Sequence, residues 1–323
     1  MKILVTGGSG FLGKSVIGAL YNSCFKYDDV FICRKKDFDL TNNDDVKRLY
    51  STYQPDAVIH LAAEVGGIGA NMANPGRFFY ANMAMGINMV ENARIFNLEK
   101  FIFVGTVCSY PKFCKAPFLE ESIWDGYPEE TNAPYGIAKK SIMVMLQSYN
   151  KQYGLKSCVI MPTNMYGPND NFKEESSHVI PSLIKKFVGA KLNNEESVTC
   201  WGTGKATREF LYVGDCARGI VSGLKLIDEP VPINMGGGVE ISMWDLAYKI
   251  KDRVGYGGSI LWDESKPDGQ PRRLLNIDRA KKLLGWESLV NFDEGLKETV
   301  EWYEQTLKGE IMSENTTTNI LRR

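Results

Sequence analysis

The chain has 323 residues, of which 44% are hydrophobic and 24% charged, and its formal net charge is −1. This length allows one large domain or two modest ones with a substantial core. The nearly neutral charge offers no basic surface for nucleic acid and no polybasic run for a membrane surface, and no apolar stretch approaches the ~20 residues that span a bilayer. The composition therefore predicts a soluble globular protein.

The seven cysteines are scattered and include no Cys-x-x-Cys pair. Neither a zinc site nor a disulfide framework is expected from this spacing, and we predict no bound metal. Because a predicted strand starts almost at the first residue, we expect no signal peptide. These features predict a reduced, cytoplasmic protein.

The first predicted element is a strand at residues 2–6, a short apolar run typical of a buried parallel strand. It leads into a glycine-rich turn and then into a helical pattern. Glycines in this order allow a tight turn, close approach of the backbone to a pyrophosphate and close packing of helix on sheet, while the helix N-terminus offers free N–H groups. The pattern predicts a dinucleotide site that includes Gly7, Ser9, Gly10, Phe11, Leu12 and Gly13.

A second strand is predicted at residues 29–33, and it ends in Arg34-Lys35-Lys36. A carboxylate at this place binds the ribose 2′-hydroxyl of NAD, whereas a cation accommodates the 2′-phosphate of NADP. We therefore predict NADPH rather than NADH, with Arg34 and Lys35 as contacts. Asp39 and Leu40 are expected to lie along the adenine. The alternative is a solvated basic turn, which equal Michaelis constants for the two cofactors would favour.

Strand and helix patterns alternate as far as residue 161. After the second strand come a helix at 44–53, an apolar run at 57–62, a helix at 77–95, a strand at 101–104, a helix that carries Tyr135 and a strand at 157–161. Such alternation predicts an α/β fold with a doubly wound parallel (Rossmann) sheet and a ligand crevice at the carboxyl ends of the strands. Gly7, Arg34, Ala62 and Thr106 follow predicted strands and are expected at that edge.

The pattern loosens beyond residue 162. A turn cluster at 166–171 is followed by helices near 181–189 and 242–254 and by short strands at 198–201 and 231–235. We therefore predict a Rossmann domain at residues 1–165, with later returns near 210–254. A smaller α/β substrate-binding region is predicted at 166–312, and a frayed tail at 313–323.

Tyr135 and Lys139 are separated by one helical turn. Because a nearby cation favours the phenolate, this spacing predicts that Lys139 lowers the pKa of Tyr135, which would then exchange a proton with a sugar or alcohol oxygen. The spacing alone is common on amphipathic helices, but Thr106 and Cys108 follow a predicted strand and strengthen the prediction. His60 lies inside a predicted strand and is expected to be a core residue.

Seven further segments carry a recognisable pattern: residues 60–68, 108–112, 161–168, 177–181, 201–202, 208–211 and 266–269. In these segments the chain resembles the GDP-L-fucose synthase family of extended short-chain dehydrogenases/reductases. The resemblance covers nearly the whole chain apart from its tail. It implies that the protein uses NADPH to reduce the C4 ketone of a GDP-4-keto-6-deoxy sugar after epimerisation at C3 and C5. It also implies a homodimer formed through the helix that holds Tyr135 and its neighbour.

The same resemblance implies roles for individual residues. Cys108 and His178 would move the protons at C3 and C5, which are acidic because the resulting enolate is stabilised at the C4 oxygen. Tyr135 and Thr106 would hydrogen-bond that oxygen, and Lys139 would hold the cofactor ribose. Further cofactor contacts would be Leu61, Ala62, Ala63, Tyr135, Pro162, Asn164, Met165 and His178. Contacts with the nucleotide sugar would be Lys186, Trp201, Arg208 and Asp268.

Three other functions remain open at this point. The family usually has Gly-Ser-Ser-Cys where this chain has Gly105-Thr106-Val107-Cys108, so a C4-reductase without epimerisation, acting on a related sugar such as a heptose for surface polysaccharides, is the main alternative. A 4,6-dehydratase would usually carry acidic residues in place of Val107 and Cys108. A redox-sensing module that binds NADP without turnover would usually lack the Tyr-x-x-x-Lys pair.

Overall fold

The computed structural model describes residues 1–23, 25–174, 176–266 and 268–321. Its strands, in chain order, are β1 (Ile3–Thr6), β2 (Val30–Cys33), β3 (Ala57–His60), β4 (Lys100–Val104), β5 (Ser157–Pro162), β6 (Asn164–Tyr166), β7 (Ser197–Trp201), β8 (Thr207–Tyr212), β9 (Pro232–Met235), β10 (Glu240–Ser242), β11 (Ser259–Asp263) and β12 (Arg272–Arg273). Its α-helices are α1 (Phe11–Asn22), α2 (Asn43–Tyr53), α3 (Ile68–Ala73), α4 (Pro75–Ile95), α5 (Ala133–Tyr153), α6 (Val179–Asn193), α7 (Val213–Leu226), α8 (Met243–Val254), α9 (Asp278–Leu284) and α10 (Phe292–Leu321). Short 3₁₀ turns lie at Tyr27–Asp29, Val107–Ser109 and Glu120–Trp124.

A six-stranded parallel sheet, in the order β2-β1-β3-β4-β5-β9, forms the centre of the protein. All residues of β1, β3, β4 and β5 are buried. Near-continuous apolar runs of this kind belong to parallel strands that are covered by helices on both faces. The predicted doubly wound Rossmann fold is confirmed.

Helices cover both faces of this sheet because successive strand side chains point in opposite directions. Leu4 and Phe101 belong to a core shared with α2, α4 and α5. Ile3 and Val5 belong to a second core, which is shared with α1, α7 and α9. The result is a three-layer α/β/α arrangement around β1–β5.

A third core lies in the C-terminal half and includes residues of α6, α8 and α10. β11 pairs with β7 beside it, and β8 pairs with β6, β10 and β12. α7 and β9 return to the central sheet, whereas α8 packs against α6. The chain therefore returns to the central sheet over residues 213–235, within the predicted 210–254, and α9 packs on the same face of the sheet beyond that stretch.

The end of the chain continues α10 as helix to Leu321, where the sequence predicted a frayed tail from residue 313. Arg322 and Arg323, which belong to that prediction, lie outside the described residues. In the part of the chain that the structure describes, no helix combines the length and apolar character needed to cross a membrane.

The strand order reverses between β1 and β3, which are neighbours in the sheet although β2 lies between them in the chain. In doubly wound sheets this reversal opens a crevice at the carboxyl ends of the two strands, where ligands bind. The loops after β1, β3 and β4 therefore meet at one edge of the sheet.

Candidate active site

The glycine-rich turn after β1 brings three segments into close contact at the crevice. Gly7 has a φ of +69°, and a Cβ at this position would lie 2.8 Å from the backbone N of Ala62. A Cβ on Gly13 would lie 2.2 Å from the backbone O of Gly7. Any side chain at these two positions would separate the turn from the loop after β3 or from α1.

The first turn of α1 is open to an anion. Its N-cap, Gly10, has no side-chain cap, and the first turn contains no acidic residue. Ser9 and Gly10 are exposed, and Phe11 and Leu12 are half-buried. Free N–H groups and the positive end of a helix dipole stabilise phosphate at such a terminus. The turn therefore fits the pyrophosphate of a dinucleotide.

Charged side chains surround the end of β2. Arg34 and Lys35 are both exposed, and Lys35 Nζ lies 3.2 Å from Glu64 Oε1. Arg77 donates two hydrogen bonds to the same carboxylate, at 2.6 and 2.7 Å. Glu64 and Arg77 were not identified from the sequence, because they come from the loop after β3 and from α4. Lys35 therefore has a carboxylate partner within the protein.

The loops after β2 and β3 form the surroundings of these charges. Asp39 Oδ1 accepts hydrogen bonds from the hydroxyl and the backbone N of Thr41, at 2.8 and 3.0 Å, and these bonds lower its pKa. Leu40 is buried in the core. The loop after β3 contributes half-buried residues, namely Leu61, Ala62 and Ala63. Asp39 thus stabilises its own turn, and Leu40 packs beneath it.

Thr106, Cys108 and Tyr135 are brought together because the start of α5 lies directly against the segment after β4. A Cβ on Gly136 would lie only 2.2 Å from the backbone O of Cys108, and Ser109 Oγ donates a 2.8 Å hydrogen bond to Gly136 O. The backbone N of Cys108 donates to Thr106 Oγ1 at 3.1 Å. The structure therefore places a hydroxyl, a thiol and a phenol at one edge of the sheet.

The predicted acidity of Tyr135 is wrong for the protein on its own. The pKa of its phenol is raised well above the usual value, first because the side chain is buried and then because of the nearby Cys108. A side-chain hydrogen bond with Thr106 acts in the opposite direction but is the smaller effect. The sequence prediction considered the cation one turn away and left out the desolvation of the phenolate.

Lys139 is also strongly affected by burial. Its Nζ donates a 2.9 Å hydrogen bond to the backbone O of Val104 and lies 4.8 Å from the centre of the Phe103 ring. Burial lowers its pKa to about 7. His60, which packs beside Phe103, is buried as predicted, and its Nδ1 lies 2.8 Å from Thr6 Oγ1.

His178 is the N-cap of α6, and its side chain is exposed to solvent. Although the residue reaches the surface, the protein atoms packed around the ring desolvate the imidazolium and lower the pKa of His178. The segment before it touches the loop after β3, since Gly67 N donates a 3.2 Å hydrogen bond to Ser176 O. His178 therefore comes from the C-terminal half and follows a segment that adjoins the crevice.

Three of the four predicted contacts of the nucleotide sugar, Trp201, Arg208 and Asp268, lie on β7, β8 and the segment before β12. Trp201 is 54% exposed, so it is not a core residue, and Lys266 Nζ lies 5.5 Å from its ring centre. Asp268 accepts hydrogen bonds from the backbone N and the hydroxyl of Thr203, both at 2.8 Å. Asp268 therefore holds the turn after Trp201. Pro267, within the matching segment 266–269, lies outside the described residues.

Lys186 is exposed on α6, and its Nζ donates a 2.9 Å hydrogen bond to Thr199 O. This bond directs the ammonium toward β7, the strand that ends in Trp201.

Pro162 ends β5 and is buried, while Met165 is half-buried against the core that contains α1. These residues lie at the boundary between the central sheet and the C-terminal region.

Arg208 and Arg273 form a pair of buried cations. Pairing of β12 with β8 places them opposite each other, and they are 8% and 7% exposed. Their hydrogen bonds within the described residues go to uncharged oxygens: Arg208 to Thr207 O and Asp268 O, Arg273 to Gln270 Oε1 and Asn164 Oδ1. Burial, and then the charge of Arg273, lower the pKa of Arg208 to about 9, which leaves it charged at neutral pH.

Since no carboxylate of the described residues is in hydrogen-bonding contact with these two buried cations, we expect them to attract an anion, because burial of an unpaired charge is costly. Arg273 was not identified from the sequence. Its position depends on a strand pairing between segments more than sixty residues apart, although the Arg272-Arg273 doublet was a visible signal.

Comparison with known proteins now gives the family. The model of the family described as "NAD dependent epimerase/dehydratase family" matches residues 3–236. The chain belongs to this family. It is 40% identical over 301 residues to a GDP-L-fucose synthase of Sinorhizobium fredii. The aligned region covers 93% of this chain and 94% of the relative. The resemblance to GDP-L-fucose synthases is confirmed.

Solved structures agree with this membership. A GDP-6-OMe-4-keto-L-xylo-heptose reductase from C. jejuni matches with a TM-score of 0.89 and 28% identity, covering 94% of this chain and 98% of that one. A GDP-L-fucose synthetase from Naegleria fowleri bound to NADP matches with a TM-score of 0.86 and 31% identity, covering 95% and 93%. Both of these similar proteins act, by their names, on GDP-linked sugars.

Proposed function

We propose that this protein uses NADPH to reduce the C4 ketone of a GDP-4-keto-6-deoxy sugar, and that it first epimerises C3 and C5. The observation that carries the proposal is the joint placement of Thr106, Cys108 and Tyr135 at the crevice edge, beside Lys139. The relatives and neighbours with GDP-sugar names support the substrate class.

The residues around the crevice fit a bound dinucleotide. The open first turn of α1 would hold the pyrophosphate, Arg34 and Lys35 would contact the 2′-phosphate, and Lys139 would reach the ribose hydroxyls. NADPH, when bound, supplies the hydride. We place Asn164, which is held by Arg273, near the nicotinamide.

For the reduction, the raised pKa of Tyr135 is an advantage. Reduction of a ketone produces an alkoxide that needs a proton, so the phenol has to be protonated at the start of the reaction. Burial keeps it neutral, and the hydrogen bond with Thr106 orients it. Together the two hydroxyls would bind the C4 oxygen as negative charge develops on it, which is the usual way in which preorganised donors lower a barrier.

For the epimerisation, the same C4 oxygen would carry the enolate charge while C3 and C5 lose and regain protons. Inversion requires one group on each face of the sugar ring. Cys108, which is partly exposed next to Thr106, would work from one face, and the exposed His178 would work from the other. The lowered pKa of His178 favours the neutral imidazole, the form that accepts a proton.

For binding, the two buried arginines would neutralise the diphosphate of the sugar nucleotide. Trp201 offers an exposed aromatic surface for the base, and Asp268 holds the turn that carries it. Lys186 would add a cation at the end of β7. The nucleotide would therefore lie on the C-terminal region, with the sugar directed at Cys108.

We also propose a homodimer through α4 and α5. Large apolar side chains stay exposed on both helices: Phe79, Tyr80 and Ile87 on α4, Val144 and Tyr153 on α5. An apolar patch on two adjacent helices suits a self-complementary two-fold interface. Sedimentation equilibrium tests this proposal, and a monomer at micromolar concentration would contradict it.

The decisive experiment for the enzyme is turnover with GDP- and dTDP-linked 4-keto sugars, with the products identified by NMR. We expect NADPH oxidation with the GDP-linked 4-keto-6-deoxy sugar only. Incubation in D₂O without NADPH should introduce deuterium at C3 and C5 of the substrate. Absence of NADPH oxidation with every sugar of the panel would refute the proposal.

The second candidate is a C4-reductase without epimerisation, and the similarity to the C. jejuni heptose reductase favours it. Val107, which replaces a hydroxyl residue of the family pattern, is buried beside Cys108. NADPH oxidation without deuterium incorporation would select this candidate. Replacing Cys108 by alanine would then leave turnover nearly unchanged, whereas the first proposal predicts loss of exchange.

A further inference from the structure

Gln270 lies in the segment that leads into β12 and is 4% exposed. Its Nε2 donates hydrogen bonds to the backbone O of Pro111 and of Lys112, both at 3.0 Å. Its Oε1 accepts a 3.1 Å hydrogen bond from Arg273 Nε. The buried amide therefore uses both its donor and its acceptor side.

These bonds join two regions that are distant in the chain. Pro111 and Lys112 belong to the segment that follows β4 of the central sheet and carries Thr106 and Cys108. Arg273 lies opposite Arg208 on β12, in the C-terminal region, and it holds Asn164 through Nη1 at 3.1 Å. Gln270 thus links the buried cation pair to the segment that carries the thiol, beside the backbone bonds between Phe118 and residues 274 and 276.

We propose that Gln270 is a positioning residue that couples nucleotide binding to the reacting end of the sugar. The inference rests on the function proposed above. The acceptor side of the amide fixes the plane of the Arg273 guanidinium, so that the remaining N–H groups face the diphosphate. The donor side fixes the segment after Cys108 relative to that anchor, and this sets the distance from the diphosphate to the thiol. A displacement of about 1 Å in such a distance costs roughly a hundredfold in rate.

The test uses Gln270→Met, which keeps the shape of the side chain and removes both sides of the amide. Arg273→Met and the double variant complete a cycle. The matched control is Gln147→Met, because among the described residues the Gln147 amide on α5 makes one long hydrogen bond, 3.4 Å to Pro230 O. Binding of GDP is measured by calorimetry on the full-length protein, which requires neither turnover nor a keto sugar. Thermal unfolding checks that each variant folds.

We expect Gln270→Met to weaken GDP binding about tenfold, because the guanidinium loses its buried acceptor. In the Arg273→Met background the same change should leave GDP binding within about twofold. At saturating sugar nucleotide, Gln270→Met should still lower kcat at least tenfold, because a loss at the Cys108 segment is not recovered by binding. Gln147→Met should match the wild type in all three measurements.

Three outcomes would overturn the inference: unchanged GDP binding in Gln270→Met, additive effects of Gln270→Met and Arg273→Met, or full recovery of kcat at saturation. A variant that only loses thermal stability, with GDP affinity and kcat intact, would show a purely structural role and also overturns it. Wild-type protein that does not bind GDP would instead contradict the proposed function, and the inference with it.

Discussion

Replacement of Lys139 by methionine should make the protein more stable while removing its activity. Lys139 is buried, and its pKa is lowered from 10.5 to about 7. At pH values below 7 the folded state must bury an ammonium, and the difference between the two pKa values corresponds to roughly 5 kcal/mol. Val104 O loses its donor in the variant, which costs about 1–3 kcal/mol. We therefore expect a net gain of about 2–4 kcal/mol at pH 6.

The sign of the pH dependence provides the sharper test. Between pH 7 and 10.5 the unfolded chain still binds the proton that the folded protein has released, so the stability of the wild type rises with pH in this window. The advantage of Lys139→Met should shrink over the same window. Urea unfolding at pH 6, 8 and 9.5 measures both chains, and Lys151→Met, an exposed position on the same helix, is the control. A wild type that is the more stable protein at pH 6, or a difference independent of pH, would refute this reasoning.

Three further substitutions test the site. Tyr135→Phe should lower kcat about a thousandfold through loss of the proton donor, whereas NADPH affinity, read from nicotinamide fluorescence, should fall by no more than about threefold. Arg34→Ala should raise the Michaelis constant for NADPH about tenfold and leave that for NADH unaltered; equal changes would mean a solvated turn. Asp268→Ala should free the turn at Thr203 and weaken GDP binding about fivefold by calorimetry, whereas retained affinity would separate that turn from the nucleotide.

The sequence was sufficient for the central sheet and for the glycine-rich turn because their signals are local. The apolar run at residues 2–6 and the glycines that follow it predict β1, the turn and α1, and these are the elements observed. Thr106 could be placed at the crevice edge because the carboxyl ends of parallel strands meet there. Tyr135 was identified by its spacing from Lys139 on one helix. His60 was correctly assigned to the core from its place within a strand.

The pKa values, and the contacts between residues distant in the chain, could not be predicted from local sequence signals. The pKa of Tyr135 depends on how much of its surface is buried, which its spacing from Lys139 does not reveal. Arg273 meets Arg208 only through the pairing of β12 with β8, and Gln270 meets Pro111 only through the folded contact between the two regions. Arg208 and Arg273 are 65 positions apart in the chain, and Pro111 and Gln270 are 159 positions apart.

The two opposed guanidiniums, of Arg208 on β8 and Arg273 on β12, also affect the thermal stability of the protein. The two buried guanidiniums repel each other in the free protein, and the carboxylates of Asp268 and Glu129 act in the opposite direction on Arg208. A nucleotide diphosphate bound as proposed would neutralise the two guanidiniums and add the ordinary mass-action stabilisation. The sugar nucleotide would then serve as a structural element as well as a reactant, and scarcity of it would expose the enzyme to unfolding and proteolysis.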